Sequence, residues 1–144
     1  MKIFLDANVL VAVLNKEYPL FSDAARVLSL SDKSGFQLFT SPICLAIAFY
    51  FAKKKSGAAD AKQKIKMLTD HILIAPTDAA AVQQAINNQQ VLDFEDGLEY
   101  YSSVGAGCQV IVAEDKDDFY FGEVPVMNCA EFLFSDLFKT YTPS

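Results

Sequence analysis

The chain has 144 residues, of which 52% are hydrophobic, and it carries a formal net charge of −6. This length fits one domain with a single core, and apolar residues spread from end to end exclude a chain that is mostly disordered. The acidic balance argues against binding nucleic acid through bulk positive charge, and no apolar run reaches the roughly 18 residues that a membrane span needs.

The first half of the chain is predicted to alternate strands with helices. Asn8 can cap the first helix, because apolar residues recur at helical spacing from Val9 onward. Ser41-Pro42 is a strong helix start, since proline at the first helical position gives up an N–H that has no partner there. The predicted elements are a strand at 2–6, helices from Asn8 and from Pro19, a strand at 36–40 and a buried helix at 43–52.

The second half continues this alternation. Ser56-Gly57 breaks the chain before a lysine-rich amphipathic helix, and Asp93 caps a later helix that stops at the glycines of 105–107. The predicted elements are helices ending near Thr69, Asn88 and Gly105, strands at 71–75, 109–113 and 124–127, and a closing helix at 129–138. We therefore expect a mostly parallel sheet with helices on both faces, in a single domain at 1–138 followed by a loose tail at 139–144.

The three cysteines, Cys44, Cys108 and Cys129, are odd in number, far apart and set among apolar neighbours. This pattern predicts buried, reduced thiols rather than a disulfide framework or a zinc site. Asp6 also follows only three apolar residues, which is too early for a secretory signal. We therefore expect a cytoplasmic protein.

Six lysines are clustered in the middle of the chain. They form either the solvated surface of a helix or a local patch that contacts phosphate groups, and the sequence leaves both interpretations open. These residues are Lys53, Lys54, Lys55, Lys62, Lys64 and Lys66.

Carboxylates from three distant segments are expected at one edge of the sheet, because ligands of open parallel sheets bind beyond the carboxyl ends of the strands. Asp6 closes the first strand, Asp115 follows the strand at 109–113, and Asp96 lies one turn into the helix capped by Asp93. A carboxylate that ends a buried strand is costly unless it is paired or binds a metal. We predict functional roles for Asp6, Asp96 and Asp115, whereas Asp93 also has the ordinary role of an N-cap.

Carboxylates that converge without cationic partners repel one another unless an ion neutralises them. Mg²⁺ or Mn²⁺ does so through oxygen ligands, and such ions can activate water and steady the oxygens of a phosphodiester. No serine–histidine or cysteine–histidine pair competes with this interpretation, because the single histidine, His71, has no evident partner, and the sequence has no glycine-rich phosphate loop. The sequence therefore predicts a carboxylate metal site.

A set of segments carries a recognisable family pattern. The chain opens with IFLDANVL at 3–10, and a later helix begins with DFEDGL at 93–98. The other segments are AGCQVIV at 106–112, DKDDF at 115–119, VPVM at 124–127 and CAEFL at 129–133. In this order and spacing they resemble the PIN-domain family, and especially the toxins of VapC type, over essentially the whole chain.

This resemblance implies a PIN-like three-layer α/β/α fold with a mostly parallel central sheet, and Mg²⁺- or Mn²⁺-dependent cleavage of RNA. It also implies pairing with an antitoxin protein and, in many relatives, a homodimer. Carried over by position, Asp6 and Asp96 would be catalytic metal ligands, Asp115 or Asp118 would supply the third acidic contribution, and Asn8 would support the site.

One position departs from the family pattern. The family usually carries a glutamate in the helix after the second strand, and Ile47 stands at that position here. The small polar residue usual after the fourth strand is replaced by Ala113. Because losing a ligand weakens metal affinity, the resemblance leaves open whether catalysis survives, although Asp93 could partly compensate.

Three functions are compatible with the sequence. The first is an active, metal-dependent endoribonuclease that acts as a toxin, and the second is a catalytically weak PIN-like domain that binds RNA or a partner protein as a regulatory module. The third is a phosphoryl-transfer receiver or phosphatase, since those proteins also place aspartates at strand ends. The third is disfavoured, because Asp6 has no acidic neighbour in the opening segment.

Overall fold

A computed structural model of the protein describes residues 1–141. Within these residues, five strands form one sheet in the order β3-β2-β1-β4-β5, and every pairing is parallel. The strands are β1 (Lys2–Leu5), β2 (Gln37–Thr40), β3 (Leu73–Ile74), β4 (Val110–Val112) and β5 (Val126–Met127). The predicted parallel α/β class is confirmed.

Helices cover the sheet in two groups. The helices of the described residues are α1 (Ala7–Leu14), α2 (Leu20–Leu28), α3 (Pro42–Ser56), α4 (Ala58–Thr69), α5 (Ala79–Asn87), α6 (Phe94–Gly105), α7 (Cys129–Phe134) and α8 (Asp136–Tyr141), with short 3₁₀ helices at Ser29–Asp32 and Lys116–Phe119. α1 packs on α2 and α3, α3 packs on α4, and α2 packs on α7, whereas α5 packs on α6. Because crossovers between parallel strands are almost always right-handed, the reversal of direction between β3 and β4 assigns these two groups to opposite faces of the sheet, as expected for three layers.

The strand order reverses at the centre of the sheet. From β1 the chain moves outward through β2 to β3, and it then returns to β4 on the other side of β1. The backbone N–H of Asp6 donates to the carbonyl of Val112 at 3.0 Å, so that the carboxyl ends of β1 and β4 are joined. In open α/β sheets this reversal opens a crevice outside the carboxyl ends of the strands, where ligands bind.

The two central strands form the core of the sheet. Ile3, Phe4 and Leu5 of β1 and all three residues of β4 are fully buried, as expected for parallel strands covered on both faces. The predicted strand at 71–75 is reduced to the two residues of β3, which lie at the edge of the sheet, and both are exposed.

The structure corrects two helix boundaries. Asn8 lies inside α1 and does not cap it, because Asp6 occupies the N-cap position with an extended backbone at φ −76° and ψ 162°. The predicted closing helix at 129–138 is two helices, because Ser135 adopts an extended ψ of 154° between them. The Ser135 hydroxyl accepts a hydrogen bond from the N–H of Phe138 at 3.1 Å, which stabilises the start of α8.

Other predictions concern the cysteines, the membrane and the chain end. All three cysteines are free and buried, as the sequence predicts. No helix among residues 1–141 is long and apolar enough to cross a membrane. The tail is predicted at 139–144. Residues 139–141 belong to α8, and residues 142–144 lie outside the described residues.

Two of the clustered lysines are engaged within the chain. Lys64 forms an ion pair with Asp60 at 3.3 Å, and Lys55 donates a hydrogen bond to the backbone carbonyl of Asn15. These contacts favour a structural role for these two lysines over contact with phosphate.

Tyr100 connects α6 to the segment before β5. Its side chain is only 6% exposed, and its hydroxyl oxygen accepts hydrogen bonds from the backbone N–H groups of Glu123 at 2.8 Å and Val124 at 3.3 Å. Tyr100→Phe leaves these donors without that acceptor, so we expect it to lower the free energy of unfolding by about 0.5–1.5 kcal/mol. Urea unfolding tests this; the exposed Tyr18→Phe is the control, and equal losses in the two variants would contradict the role of the hydroxyl.

Candidate metal centre

Asp6 lies at the reversal of strand order, directly after the central strand β1. Its side chain is 4% exposed, and it makes none of the hydrogen bonds by which a side chain caps a helix, although it occupies the N-cap position of α1. Burial raises the pKa of Asp6, and hydrogen bonds from Glu99, the backbone of Ala7 and Cys44 offset part of this effect. Its carboxylate is therefore held in the crevice rather than used by the helix.

Glu99 is the nearest carboxylate partner of Asp6. It lies on α6 and is 3% exposed, and ligand atoms of Asp6, Glu99 and Cys44 all lie within 4.8 Å of one another. Burial and the negative charge of Asp6 raise the pKa of Glu99 to about 10. Without a cation, two carboxyl groups this close share a proton, since both cannot be ionised cheaply in the interior.

Cys44 closes the third side of this cluster from the first turn of α3. Ser41 caps α3 by accepting a hydrogen bond from the N–H of Cys44 at 3.2 Å, and the Cys44 thiol donates to Oδ1 of Asp6 at 3.8 Å. Burial raises the pKa of Cys44 well above its ordinary value. A protonated thiol is a donor and not a ligand for a hard cation, so Cys44 orients Asp6.

Asp93 and Asp96 begin α6 with different environments. Oδ1 of Asp93 accepts hydrogen bonds from the N–H groups of Glu95 at 3.0 Å and Asp96 at 3.3 Å, which is the expected N-cap arrangement. Asp96 is partly buried. Burial raises the pKa of Asp96 to about 7, and the negative charges of Asp118, Asp93 and Asp6 add to the effect. Asp96 therefore faces the same acidic crevice as Asp6.

Asp115 and Asp118 approach the crevice from the loop after β4. The N–H of Asp118 donates to the carbonyl of Asp115 at 3.3 Å; Asp118 is partly buried, whereas Asp115 is exposed. Burial raises the pKa of Asp118 to about 6, with further contributions from Asp115 and Asp6. The structure thus brings acids from β1, α6 and this loop into one electrostatic group.

Two charged residues of the same loop contact α7. Oε2 of Glu114 accepts a hydrogen bond from the backbone N–H of Cys129 at 3.0 Å, and Nζ of Lys116 lies 2.9 Å from Oε2 of Glu131. Glu114 is therefore an anchor of the loop and not a solvated charge, contrary to what its position in a loop suggests.

Asn8 and Ile47 lie beside the centre rather than inside the cluster. Both line a groove that also includes Ala7 and Glu114, and Asn8 is exposed. The supporting role predicted for Asn8 stays a prediction.

Sequence reasoning missed Glu99. The apolar residues Phe94, Leu98 and Tyr101 favour an inward face of α6 that does not include Glu99. In the structure Phe94 is 48% exposed, and the buried positions include Glu99 and Tyr100. The signal was present in the spacing, because Glu99 follows Asp96 by three residues and therefore shares its helix face.

The donor set fits a hard divalent ion. The largest charge effects on Asp6, Asp96, Glu99 and Asp118 all come from other carboxylates and none comes from a lysine or arginine. Carboxylate oxygens are the ligands that Mg²⁺ and Mn²⁺ prefer. A cation at this position would relieve a repulsion that the fold otherwise leaves uncompensated.

Comparisons with known proteins agree with this fold. A family model described as a PIN domain matches residues 2–117. Ribonuclease VapC1 of Aquifex aeolicus (strain VF5) is 27% identical over 138 residues, covering 91% of this chain and 92% of that protein.

Two solved structures share the fold. Mycobacterium tuberculosis VapC20, described as a sarcin-ricin loop cleaving toxin, has a TM-score of 0.67 at 21% identity over 87% of this chain and 98% of its own. VapBC2 from Rickettsia felis, bound to a DNA fragment from their promoter, has a TM-score of 0.67 at 15% identity over 89% and 98% of the two chains. At these identities the structures establish the likeness of fold.

Proposed function

The chain belongs to the PIN-domain family, and we propose that it is a metal-dependent endoribonuclease that hydrolyses RNA phosphodiesters and acts as the toxin of a toxin–antitoxin pair. The observation that carries this proposal is the buried carboxylate of Asp6 at the reversal of strand order, with further acids around it and, among the described residues, no ion pair to a lysine or arginine. The likeness to Ribonuclease VapC1 supports RNA as the substrate.

In this proposal each residue of the site has a role that follows from its position. Asp6, Asp96, Asp115 and Asp118 would hold the divalent ion, and Asn8 would support the site from α1. A bound Mg²⁺ or Mn²⁺ would activate water and stabilise the charge that develops on the phosphodiester.

The protein's own contribution is to hold these acids in place. Asp6 is fixed through the hydrogen bond of its N–H to β4, and Asp93 fixes the first turn of α6, which carries Asp96, by capping it. Because such groups are held before the substrate arrives, the reaction pays little to reorganise them.

The similar proteins support two kinds of binding partner for this chain. The likeness to VapBC2 supports a partner protein that would pair with this chain as its antitoxin. The family resemblance also supports a homodimer. The reduced, buried cysteines fit action in the cytoplasm.

Cleavage of RNA with and without metal tests the proposal. We expect purified protein to cut single-stranded and structured RNA in Mn²⁺ or Mg²⁺ and to be inactive in EDTA. Asp96→Asn should reduce the rate at least about 100-fold, because even an outer-shell partner of a metal is worth about 10- to 100-fold. Asp117→Asn removes the same charge from an exposed position of the β4 loop and should cleave normally; cleavage that persists in EDTA would refute the proposal.

A second candidate is a catalytically weak PIN-like domain that binds RNA or protein as a regulatory module. Ile47 favours it, because α3 carries no acid at the position where the family usually has a glutamate. This candidate predicts no cleavage with either metal but saturable binding of RNA or a partner protein, which fluorescence anisotropy with labelled RNA would measure.

A further inference from the structure

We propose that Glu99 is itself a ligand of the divalent ion, so that α6 contributes two carboxylates, Asp96 and Glu99, to a centre completed by Asp6. This inference rests on the proposed function and names one more residue of the same site. It gives a function to Glu99, which is the most deeply buried acid of α6 and is 3% exposed.

The first support is distance. Oxygens of Asp6 and Glu99 lie within 4.8 Å of each other. Two oxygens on one Mg²⁺, each at about 2.1 Å, are at most about 4.2 Å apart. A change of at most about 0.6 Å in their separation therefore allows both carboxylates to contact a common ion.

The second support is the position of Glu99 in its helix. Glu99 follows Asp96 by three residues, which places both on one face of α6. α6 also packs against α3, and this contact brings Glu99 next to Cys44 and Asp6. The two acids of α6 thus reach the crevice from one rigid element, and Asp6 faces them from the end of β1.

The third support is the cost of keeping Glu99 in the interior without a task. A buried carboxyl group beside a second buried carboxylate opposes folding, and an apolar or amide side chain of similar size would avoid this cost. Binding a cation would offset this cost and would explain why a glutamate occupies position 99. A purely structural alternative is that protonated Glu99 only donates a hydrogen bond to Asp6.

Metal titration separates a ligand from a hydrogen-bond donor. Glutamine at position 99 keeps the size of the side chain and can still donate to Asp6 through its amide, but it lacks the charge that a divalent ion requires. We expect Glu99→Gln to weaken Mn²⁺ binding at least about 10-fold by calorimetry and to lose most of the rise in Tm that Mn²⁺ gives the unmodified protein. The matched control is Glu95→Gln, the same change at an exposed position of the same helix, which should bind Mn²⁺ within about twofold of the unmodified protein.

The outcomes distinguish this inference from the proposed function. If Glu99→Gln binds Mn²⁺ as tightly as the unmodified protein while Asp6→Asn does not bind it, Glu99 is a hydrogen-bond donor and only this inference falls. If the unmodified protein has no saturable Mn²⁺ site, the nuclease proposal falls with it. Should Glu99→Gln fail to fold, Glu99→Asp keeps the charge but withdraws it by one methylene, and Mn²⁺ affinity equal to that of the unmodified protein would overturn the assignment.

Discussion

Replacement of Asp6 by asparagine is expected to reduce metal-dependent RNA cleavage at least about 100-fold and to remove saturable Mn²⁺ binding. Asp6 lies where β1 and β4 end together. The negative charge of its carboxylate raises the pKa of Asp96, Glu99 and Asp118. Asparagine has nearly the same shape and keeps a carbonyl oxygen for the N–H of Ala7, but it cannot neutralise a cation. The cleavage assay with equal amounts of RNA and Mn²⁺ measures the loss.

The same substitution should leave the fold intact. A neutral amide at position 6 removes one charge from a crowded acidic interior, so we expect the metal-free variant to unfold at a temperature no lower than that of the unmodified protein. Circular dichroism with thermal unfolding provides this control. Retained cleavage in a folded Asp6→Asn protein would show that the chemistry lies elsewhere.

The metal-free protein is expected to lose stability as the pH rises from about 5 to about 8. The folded protein keeps the proton of Glu99, with a pKa of about 10, throughout this range, and it releases the proton of Asp96 only near its pKa of about 7. The unfolded chain, with carboxyl pKa values near 4, has released both protons over most of this range. Because the folded state binds more protons, each increase in pH favours unfolding. For Glu99 the loss is at most about 1.4 kcal/mol for each pH unit, or about 4 °C in Tm for a domain of this size. Solvent screens the partly buried Asp96, so its contribution is smaller.

Mn²⁺ should oppose this loss. An ion that binds only the folded state adds about 2.7 kcal/mol of stability at 100 times its Kd, and its benefit grows with pH because its ligands must be ionised. Thermal unfolding in EDTA and in Mn²⁺, at several pH values, measures both effects. Glu99→Gln removes one of the titrating groups and should make the loss of Tm with pH in EDTA smaller, while Asp96 still titrates. A Tm in EDTA that does not change with pH in the unmodified protein would contradict the buried carboxyl pair.

Most of the fold could be predicted because its signals are local. The run Ile3–Leu5 that ends at Asp6 predicts a buried strand, and Ser41-Pro42 and Asp93 predict helix starts that the structure shows as capped. The break at Ser135 was not predictable from hydrophobic spacing, since apolar residues continue at helical intervals on both sides of it. The sequence predicts a longer β3 than the two residues of the structure. Because β3 is the edge strand, its length depends on how far it pairs with β2 and not on its own residues alone.

The site was less predictable because convergence depends on packing. The rule that ligands bind at strand ends selects Asp6 and Asp115, but it gives no means of ranking acids within a helix. The sequence does not single out Glu99, because a glutamate in the middle of a helix ordinarily faces solvent. Its burial depends on the contact between α6 and α3, which no local pattern in the sequence specifies.

The hydrogen bond between Glu114 and α7 determines how far the minimal autonomous unit extends. The family match ends at residue 117, yet Glu114, inside the match, is anchored by the N–H of Cys129, outside it. Phe132 of α7 is also fully buried. A truncated chain that stopped at residue 117 would lose β5 and α7, expose the core and release the loop of Asp115, so a recombinant fragment or domain graft must carry α7 as well.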